Sequence, residues 1–191
     1  MTHSTVALYG GSFDPPHLGH VLSVAWALSA TEIDAVWVIP TWKHAFGKQH
    51  GAAFDERVAM CALAFAPFRN VTVSTVEQAR GGVSHTLETI QALRDDYPEV
   101  SFRLLVGSDV LPTTPRWHRW EDIVQAAPPI VVGRDGYPAP PNCPVSIPNI
   151  NSTEIRRLVE SRSAVDGMVP SDVIQHVRDH GLYLDGSHTG R

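Results

Sequence analysis

Two kinds of hydrophobic pattern alternate along the chain. Short runs of consecutive apolar residues predict buried strands, at residues 6–9, 35–39, 71–73, 102–106, 130–132 and 145–147. Between these runs, apolar residues recur every three or four positions and predict helices, at residues 18–28, 54–65, 87–93, 117–124, 155–159 and 173–177. Such an alternation of strands and helices is typical of an α/β protein.

The helical spacing also predicts which residues face the core. On the first helix the predicted buried face consists of Leu18, Val21, Leu22, Ala25 and Leu28. On the second helix it consists of Phe54, Val58, Cys61 and Phe65. A short helix is predicted to carry Trp117, Trp120 and Val124.

The predicted strands lack a regular polar–apolar alternation, which indicates that both faces of the sheet are covered. Helices that connect parallel strands form right-handed crossovers. We therefore predict an α/β fold, a single Rossmann-like, doubly wound parallel sheet with helices on both faces. The 191 residues suit one domain spanning 1–191, with a C-terminal helical part at about 152–183 and a flexible tail at 185–191.

Composition and charge narrow the class of protein. With 43% hydrophobic and 18% charged residues, the chain can bury a core and is not disordered. The formal net charge of −5 argues against nucleic acid as a partner, and no apolar run is long enough to span a membrane. Cys61 and Cys143 form no C-x-x-C pair, so we expect free thiols and a cytoplasmic protein. A homo-oligomer is compatible with the sequence.

A segment rich in glycine and histidine follows the first strand. It reads Gly10-Gly11-Ser12-Phe13-Asp14-Pro15-Pro16-His17-Leu18-Gly19-His20. Glycines allow a ligand to approach the backbone closely. The two histidines stand at the start of a helix, where free N–H groups and the helix dipole attract anions. The segment predicts a phosphate-binding pocket; the alternative is a glycine turn followed by two surface histidines.

Two later segments carry further candidate residues. Asn151 can cap a helix whose third residue is Glu154, in a variant capping box. Ser152, Thr153 and Arg156 stand at the start of this helix, and the alternative is a well-capped helix with an exposed arginine. After the fourth strand come Gly107, Asp109 and Trp117, for which the alternative is a tight turn and a helix that buries its tryptophans.

The glycine–histidine segment resembles the G-x-F-x-P-x-H-x-G-H signature of the nucleotidylyltransferase superfamily. Its fixed positions are filled by Gly11, Phe13, Pro15, His17, Gly19 and His20. Residues 150–156 resemble the superfamily's I-S-S-T-x-x-R motif, with Asn151 in place of the first serine.

Four further matches resemble one branch, the bacterial nicotinate-nucleotide adenylyltransferases. They are S-x-T-L at 84–87, G-x-D at 107–109, W-x-x-W-x-x-I at 117–123, and Gly133-Arg134. The resemblance covers residues 7 to about 183. After the second strand, where the branch usually carries P-P-H-K, this chain instead has Pro40-Thr41-Trp42-Lys43-His44.

The resemblance implies adenylyl transfer from ATP to nicotinate mononucleotide, which gives deamido-NAD and pyrophosphate in NAD biosynthesis without a covalent enzyme intermediate. The implied catalytic residues are His17, His20 and Arg156. ATP binding is assigned to Gly10, Gly11, Ser12, Phe13, His17, His20, Gly107, Asp109, Asn151, Ser152, Thr153 and Arg156. Acceptor binding is assigned to Lys43, His44, Lys48, Ser84, His85, Thr86, Trp117 and Arg134. Mg²⁺ is expected as a cofactor bound through the ATP phosphates, with no side-chain metal site.

Two alternatives remain open. One is a sister enzyme that uses nicotinamide mononucleotide or phosphopantetheine as acceptor, because the altered segment around Lys43 lies where the acceptor would bind. A non-catalytic nucleotide-binding module is the other alternative, against which the intact His17, His20 and Arg156 argue. Free N–H groups at the helix that follows Ser84 predict selection of the nicotinate carboxylate over the amide.

Overall fold

A parallel sheet of six strands forms the centre of the molecule. The computed structural model of the chain describes residues 4–44, 47, 49–141 and 143–184. The strands are β1 (Ser4–Gly11), β2 (Ala35–Pro40), β3 (Val71–Val73), β4 (Val100–Gly107), β5 (Pro129–Arg134) and β6 (Ser146–Ile147). They are ordered β3-β2-β1-β4-β5-β6, and every neighbouring pair is parallel. This is the strand order of a doubly wound, Rossmann-like sheet, so the predicted fold class is confirmed.

Helices connect these strands. They are α1 (Leu18–Ala30), α2 (Phe54–Phe65), α3 (Val76–Arg80), α4 (Thr86–Asp96), α5 (Trp120–Ala126), α6 (Ser152–Glu160) and α7 (Ser171–Asp179), with a 3₁₀ helix at Leu111–Arg116. The sequence analysis missed α3 and the 3₁₀ helix. With 5 and 6 residues, they are too short to display a helical repeat of apolar positions.

Side chains of β1 alternate between two hydrophobic cores. Ala7 and Tyr9 belong to the first core, which also contains buried residues of α1, α2, α6 and α7. Val6 and Leu8 belong to the second core, which contains buried residues of α4 and α5. Both faces of the sheet are therefore covered by helices, and this explains why residues 6–9 of the strand are all apolar.

The predicted buried faces of α1 and α2 are wrong in part. Leu22 is 42% exposed, whereas the buried residues of α1 are Gly19, Ser23, Val24 and Ala27. The helix approaches the sheet through these small residues, a contact that leucine spacing does not reveal. On α2, Val58 is only half-buried and the neighbouring Arg57 is 1% exposed.

The described part of the chain does not contain the single short helix that was predicted to carry both Trp117 and Trp120. Trp117 follows the 3₁₀ helix, and α5 begins at Trp120 after Arg119 adopts a left-handed φ of 56°. The two indole rings nevertheless contact each other, with centroids 5.6 Å apart.

The structure also bears on the predictions for the cysteines and for a membrane span. Cys61 and Cys143 are free thiols, as predicted. Lys48 and the tail at 185–191 lie outside the described residues. Within the described part of the chain, every helix is too short or too polar to cross a membrane.

The topology determines where a ligand can bind. The first three strands progress outward from β1 in one direction, and β4 then pairs with the opposite side of β1. In doubly wound sheets, ligands bind at the carboxyl ends of the strands where this reversal occurs.

Candidate active site

A cavity of about 210 Å³ opens where β1, β4 and β5 end. Residues predicted for ATP and residues predicted for the acceptor both line it, namely Gly10, Gly11, His17, His20, Gly107, Asp109, Trp117 and Arg134. A Cβ atom added to Gly10 would meet no atom within 4 Å, so the backbone of β1 is open to a ligand at this point. The other predicted residues that the structure describes do not line this cavity.

The two histidines form a stacked pair. His17 is the N-cap residue of α1 and His20 is the third residue of the helix, and their ring centroids are 3.7 Å apart. The backbone N–H of His17 donates to Nδ1 of His20 at 3.1 Å. Nδ1 is therefore unprotonated, so the neutral ring of His20 carries its hydrogen on Nε2. This N–H is a donor for an anion in the cavity.

Both imidazoles are neutral at pH 7. Burial lowers the pKa of His17 to about 3, and the positive charge of Arg134 lowers it further. Burial, followed by the charges of His17 and Arg134, holds the pKa of His20 well below its ordinary value. Nδ1 of His17 is buried without a hydrogen-bond partner.

Phe13 supports the histidine pair from the core. Its φ of 47° lies in the left-handed region, which is uncommon for a residue other than glycine. The side chain is 1% exposed, and its ring lies 4.8 Å from that of His20 and 5.5 Å from that of Tyr9. The side chain therefore belongs to the core, whereas the predicted role in ATP binding concerns the backbone.

A buried aspartate holds the loop between β1 and α1. The carboxylate of Asp14 accepts hydrogen bonds from Gly51 N at 2.6 Å, Ala52 N at 3.0 Å and the Tyr183 hydroxyl at 2.8 Å. Nη1 of Arg156 donates to the Asp14 carbonyl at 2.7 Å and lies 3.7 Å from its carboxylate. The loop is thus fixed by α6 and by the residues that follow α7.

The start of α6 rests on the same loop. Ser152 Oγ donates to the Pro15 carbonyl at 2.9 Å. Asn151 caps the helix as predicted, because its side chain accepts from Glu154 N at 2.9 Å. The reciprocal half of the predicted capping box is absent between these residues, since the Glu154 carboxylate pairs with Arg157 at 2.6 Å.

The predicted acceptor segments meet on the other side of β1. Ser84 N donates to the Lys43 carbonyl at 2.8 Å, and Lys43 N donates to Ser84 Oγ at 3.2 Å. His44 forms an isolated parallel bridge with Ser84. His85 is the N-cap residue of α4 and Thr86 its first residue. Two segments about forty positions apart are therefore joined by hydrogen bonds.

Asp109 and Arg134 form an ion pair inside the cavity. Arg134 Nη1 lies 2.6 Å from Asp109 Oδ2, and its Nη2 donates to the Ile150 carbonyl. A side chain at Gly107 would overlap with the Asp109 carboxylate, which explains the glycine of the G-x-D match. Arg134, predicted for the acceptor, thus lies beside a residue predicted for ATP.

Arg57 is a residue that the sequence analysis missed. Its Nη1 donates to the Ser12 carbonyl and its Nη2 to the Thr41 carbonyl, both at 2.8 Å. Burial lowers the pKa of the guanidinium. The residue links the loop between β1 and α1 to the segment after β2. The sequence offered one indication of this residue, an arginine directly next to Val58 on the predicted apolar face of α2.

Comparisons with known proteins identify the family of the chain. The chain matches the family model described as cytidylyltransferase-like over residues 8–158. It is 40% identical to a probable nicotinate-nucleotide adenylyltransferase of Anaeromyxobacter sp. (strain K), with 93% of this chain and 96% of that protein covered. It is 37% identical to a protein of the same name from Myxococcus xanthus, with 93% and 94% covered.

The fold is also similar to a solved structure. This structure is that of Plasmodium falciparum nicotinic acid mononucleotide adenylyltransferase complexed with NaAD, with a TM-score of 0.81, 18% identity, and 95% of this chain and 98% of that chain covered. At this identity the similarity concerns the fold, and the sequence relatives carry the assignment. The chain belongs to the nicotinate-nucleotide adenylyltransferase family, within the cytidylyltransferase-like proteins.

Proposed function

We propose that the chain transfers the adenylyl group of ATP to nicotinate mononucleotide, giving deamido-NAD and pyrophosphate. The observation that carries this proposal is the stacked pair of neutral histidines, His17 buried and His20 half-buried, at the cavity where β1 and β4 end. Family membership supports the same reaction. The product would enter NAD biosynthesis.

The reaction needs no covalent intermediate on the protein. A phosphate oxygen of the mononucleotide attacks the α-phosphorus of ATP, and the bond from this phosphorus to the bridging oxygen of pyrophosphate breaks. Negative charge moves onto the departing pyrophosphate. Catalysis then consists of positioning and charge stabilisation. His20 would donate its Nε2–H to these phosphate oxygens. His17 would bind the triphosphate next to His20.

The rest of the triphosphate would lie along the start of α6. Backbone N–H groups of residues 11–13, the hydroxyls of Ser152 and Thr153, and the Arg156 guanidinium are the proposed contacts. Nη1 of Arg156 is anchored on Asp14, whereas its Nη2 makes only a long contact of 3.5 Å with Thr153 Oγ1. This arrangement leaves Nη2 as the group for phosphate.

The surroundings of the cavity fit a Mg²⁺ ion bound through ATP rather than through side chains. Asp109, the carboxylate that lines the cavity, is paired with Arg134. The carboxylate of Asp14 already accepts three hydrogen bonds. Phosphate and water oxygens are the usual Mg²⁺ ligands in such sites. When bound, Mg²⁺ would neutralise phosphate charge. Asp109 is proposed to contact the adenosine.

The mononucleotide would lie between Trp117 and the start of α4. Lys43, His44, Ser84, His85, Thr86 and Arg134 are the proposed contacts, together with Lys48. The N-terminal N–H groups of α4 favour an anion, because they are unpaired within the helix and lie at its positive end. The NH₂ group of a carboxamide would face these N–H groups, and two donors cannot form a hydrogen bond with each other. We therefore expect the nicotinate carboxylate to be preferred over the amide.

A comparison of acceptors tests the proposal. We expect pyrophosphate release with ATP and nicotinate mononucleotide, with a kcat/KM at least about tenfold above that for nicotinamide mononucleotide. Equal values would refute selection of the carboxylate and leave adenylyl transfer standing. Turnover with phosphopantetheine alone would favour the sister enzyme. Absence of pyrophosphate with every acceptor would favour a binding module.

A further inference from the structure

Two histidines and a glutamate form a cluster outside the cavity, where α7 packs against α2. His176 is on α7, His180 is the C-cap residue directly after this helix, four positions further on, and Glu56 is on α2. His176 Nε2 lies 2.6 Å from Glu56 Oε2, and His180 Nδ1 lies 3.1 Å from Glu56 Oε1. One ligand atom from each residue lies within 4.8 Å of the others. The proposed reaction uses none of these groups.

We propose that Glu56, His176 and His180 bind a divalent transition-metal ion, with Zn²⁺ as the representative ion. Two imidazoles and a carboxylate are a ligand set that such ions prefer. The spacing of four positions places both imidazoles on the same side of α7 and its C-cap. This inference does not depend on the proposed adenylyl transfer.

The geometry requires only small movements. Ligand atoms about 2.1 Å from a tetrahedral ion lie about 3.4 Å from one another. The three ligand atoms lie within 4.8 Å of one another, so each separation would have to change by at most about 1.4 Å to reach this value. The two rings are tilted by 31° to each other, with centroids 4.0 Å apart, and they offer different nitrogens to the same carboxylate.

The cluster is also accessible to an ion. The side chains of His176, Glu56 and His180 are 14%, 29% and 46% exposed. Water can therefore complete the coordination, as in zinc sites with three protein ligands. The sequence analysis expected no side-chain metal site. The two histidines lie 120 and 124 positions from Glu56, so only the fold reveals the set.

A metal here would fasten α7 to α2. The residues after α7 include Tyr183, whose hydroxyl reaches Asp14 in the loop between β1 and α1. The ion would therefore stabilise the segment that holds this loop, without taking part in chemistry. Because an ion that binds only the folded chain shifts the unfolding equilibrium, its effect is measurable by thermal melting.

The test is a Zn²⁺ titration of the chelator-treated chain by calorimetry and thermal melting. We expect one ion per chain and, at saturation, a rise in Tm of about 5 °C or more. His180→Ala and Glu56→Gln should each weaken binding at least about tenfold. Gln175→Ala, on an exposed position of α7, is the matched control and should bind like the wild type.

A second control addresses the histidines of the cavity. His20→Asn should leave the titration unchanged, because the proposed site does not include His20. The proposal is overturned if the wild type shows no saturable binding, or if either His180→Ala or Glu56→Gln retains wild-type affinity. Melting curves without zinc verify that the variants are folded.

Discussion

A single backbone hydrogen bond determines what His20 can do. Because His17 N–H donates to Nδ1 of His20, the other ring nitrogen, Nε2, is the one that carries hydrogen. Capping of α1 and the proposed phosphate contact thus use opposite sides of one ring. The two roles can be separated by substitution.

His20→Asn should lower kcat by about 10²–10³-fold with little change in Tm. The amide oxygen of asparagine can replace Nδ1 as acceptor, but no donor remains at the position of Nε2. His20→Ala should lose as much activity and, in addition, about 1 kcal/mol of stability through the lost cap. Pyrophosphate release and melting curves measure the two effects. Wild-type turnover of His20→Asn would contradict the role of Nε2.

The buried state of His17 should make the protein sensitive to acid. Its folded pKa of about 3 is below the ordinary value near 6.5, so the unfolded chain binds more protons between these values. The stability is fully present above pH 6.5 and is lost as the pH falls toward 3. By pH 5 the loss due to His17 should reach about 2 kcal/mol.

The control for this prediction is His17→Gln, which removes the titrating group. Urea unfolding at pH 7 and pH 5 gives the free energy of unfolding for both proteins. We expect the wild type to lose more stability than the variant over this interval. Parallel losses would show that other groups cause the acid sensitivity.

At the scale of secondary structure, α6 is the element that supports the loop between β1 and α1. Ser152 contacts Pro15, and Arg156 contacts Asp14, so one turn of helix fixes two consecutive residues of the loop. The adjacent Arg157 instead forms an exposed pair with Glu154. Neighbouring arginines of one helix thus have different surroundings.

Arg156→Ala should raise the KM for ATP by about tenfold or more and change the KM for the mononucleotide less. Charge-assisted contacts to phosphate are among the stronger hydrogen bonds. Arg157→Ala is the matched control and should leave both constants unchanged, since exposed ion pairs contribute little. An equal rise of both constants in Arg156→Ala would indicate that this residue only shapes the loop.

The longer elements could be predicted because the sheet is covered on both faces. Residues such as Val6 and Ala7 face opposite cores, so the strand appears as an unbroken apolar run. The short α3 could not be predicted in this way, because tertiary contacts determine its position. Its Glu77 is 8% exposed and accepts from Trp42 N at 3.0 Å. The partner is 35 positions away, which no local pattern encodes.

The candidate site shows the same division. His17, His20 and the glycines before them form one continuous motif, and the sequence identified them. Asp14 and Tyr183 are brought together by the fold across 169 positions, and both are common residue types. Arg57 was missed because hydrophobic spacing assigns a charged residue to the surface.

At the scale of the whole molecule, Arg57 joins the two sides of the site. It bonds to the loop proposed for ATP through Ser12 and to the segment proposed for the acceptor through Thr41. Both partners are carbonyl oxygens that the rigid fork of the guanidinium can reach together. A change at this residue should therefore affect both substrates.

Arg57→Lys should raise the KM for ATP and for the mononucleotide and lower the free energy of unfolding by about 2–4 kcal/mol. Lysine keeps the charge but cannot reach both carbonyls with one planar group, and each lost charged hydrogen bond costs about 1.5–3 kcal/mol. Arg69→Ala, at an exposed position, is the control and should behave like the wild type. A change confined to one substrate would contradict the linking role.

The contact between Asp14 and Tyr183 has a consequence for the nascent chain. Translation proceeds at about 5–20 residues per second, so the 169 positions between them correspond to about 8–34 s of synthesis. During that interval the glycine–histidine loop has been synthesised without the hydroxyl that completes its support. Chains that end before Tyr183 should therefore bind nucleotide weakly.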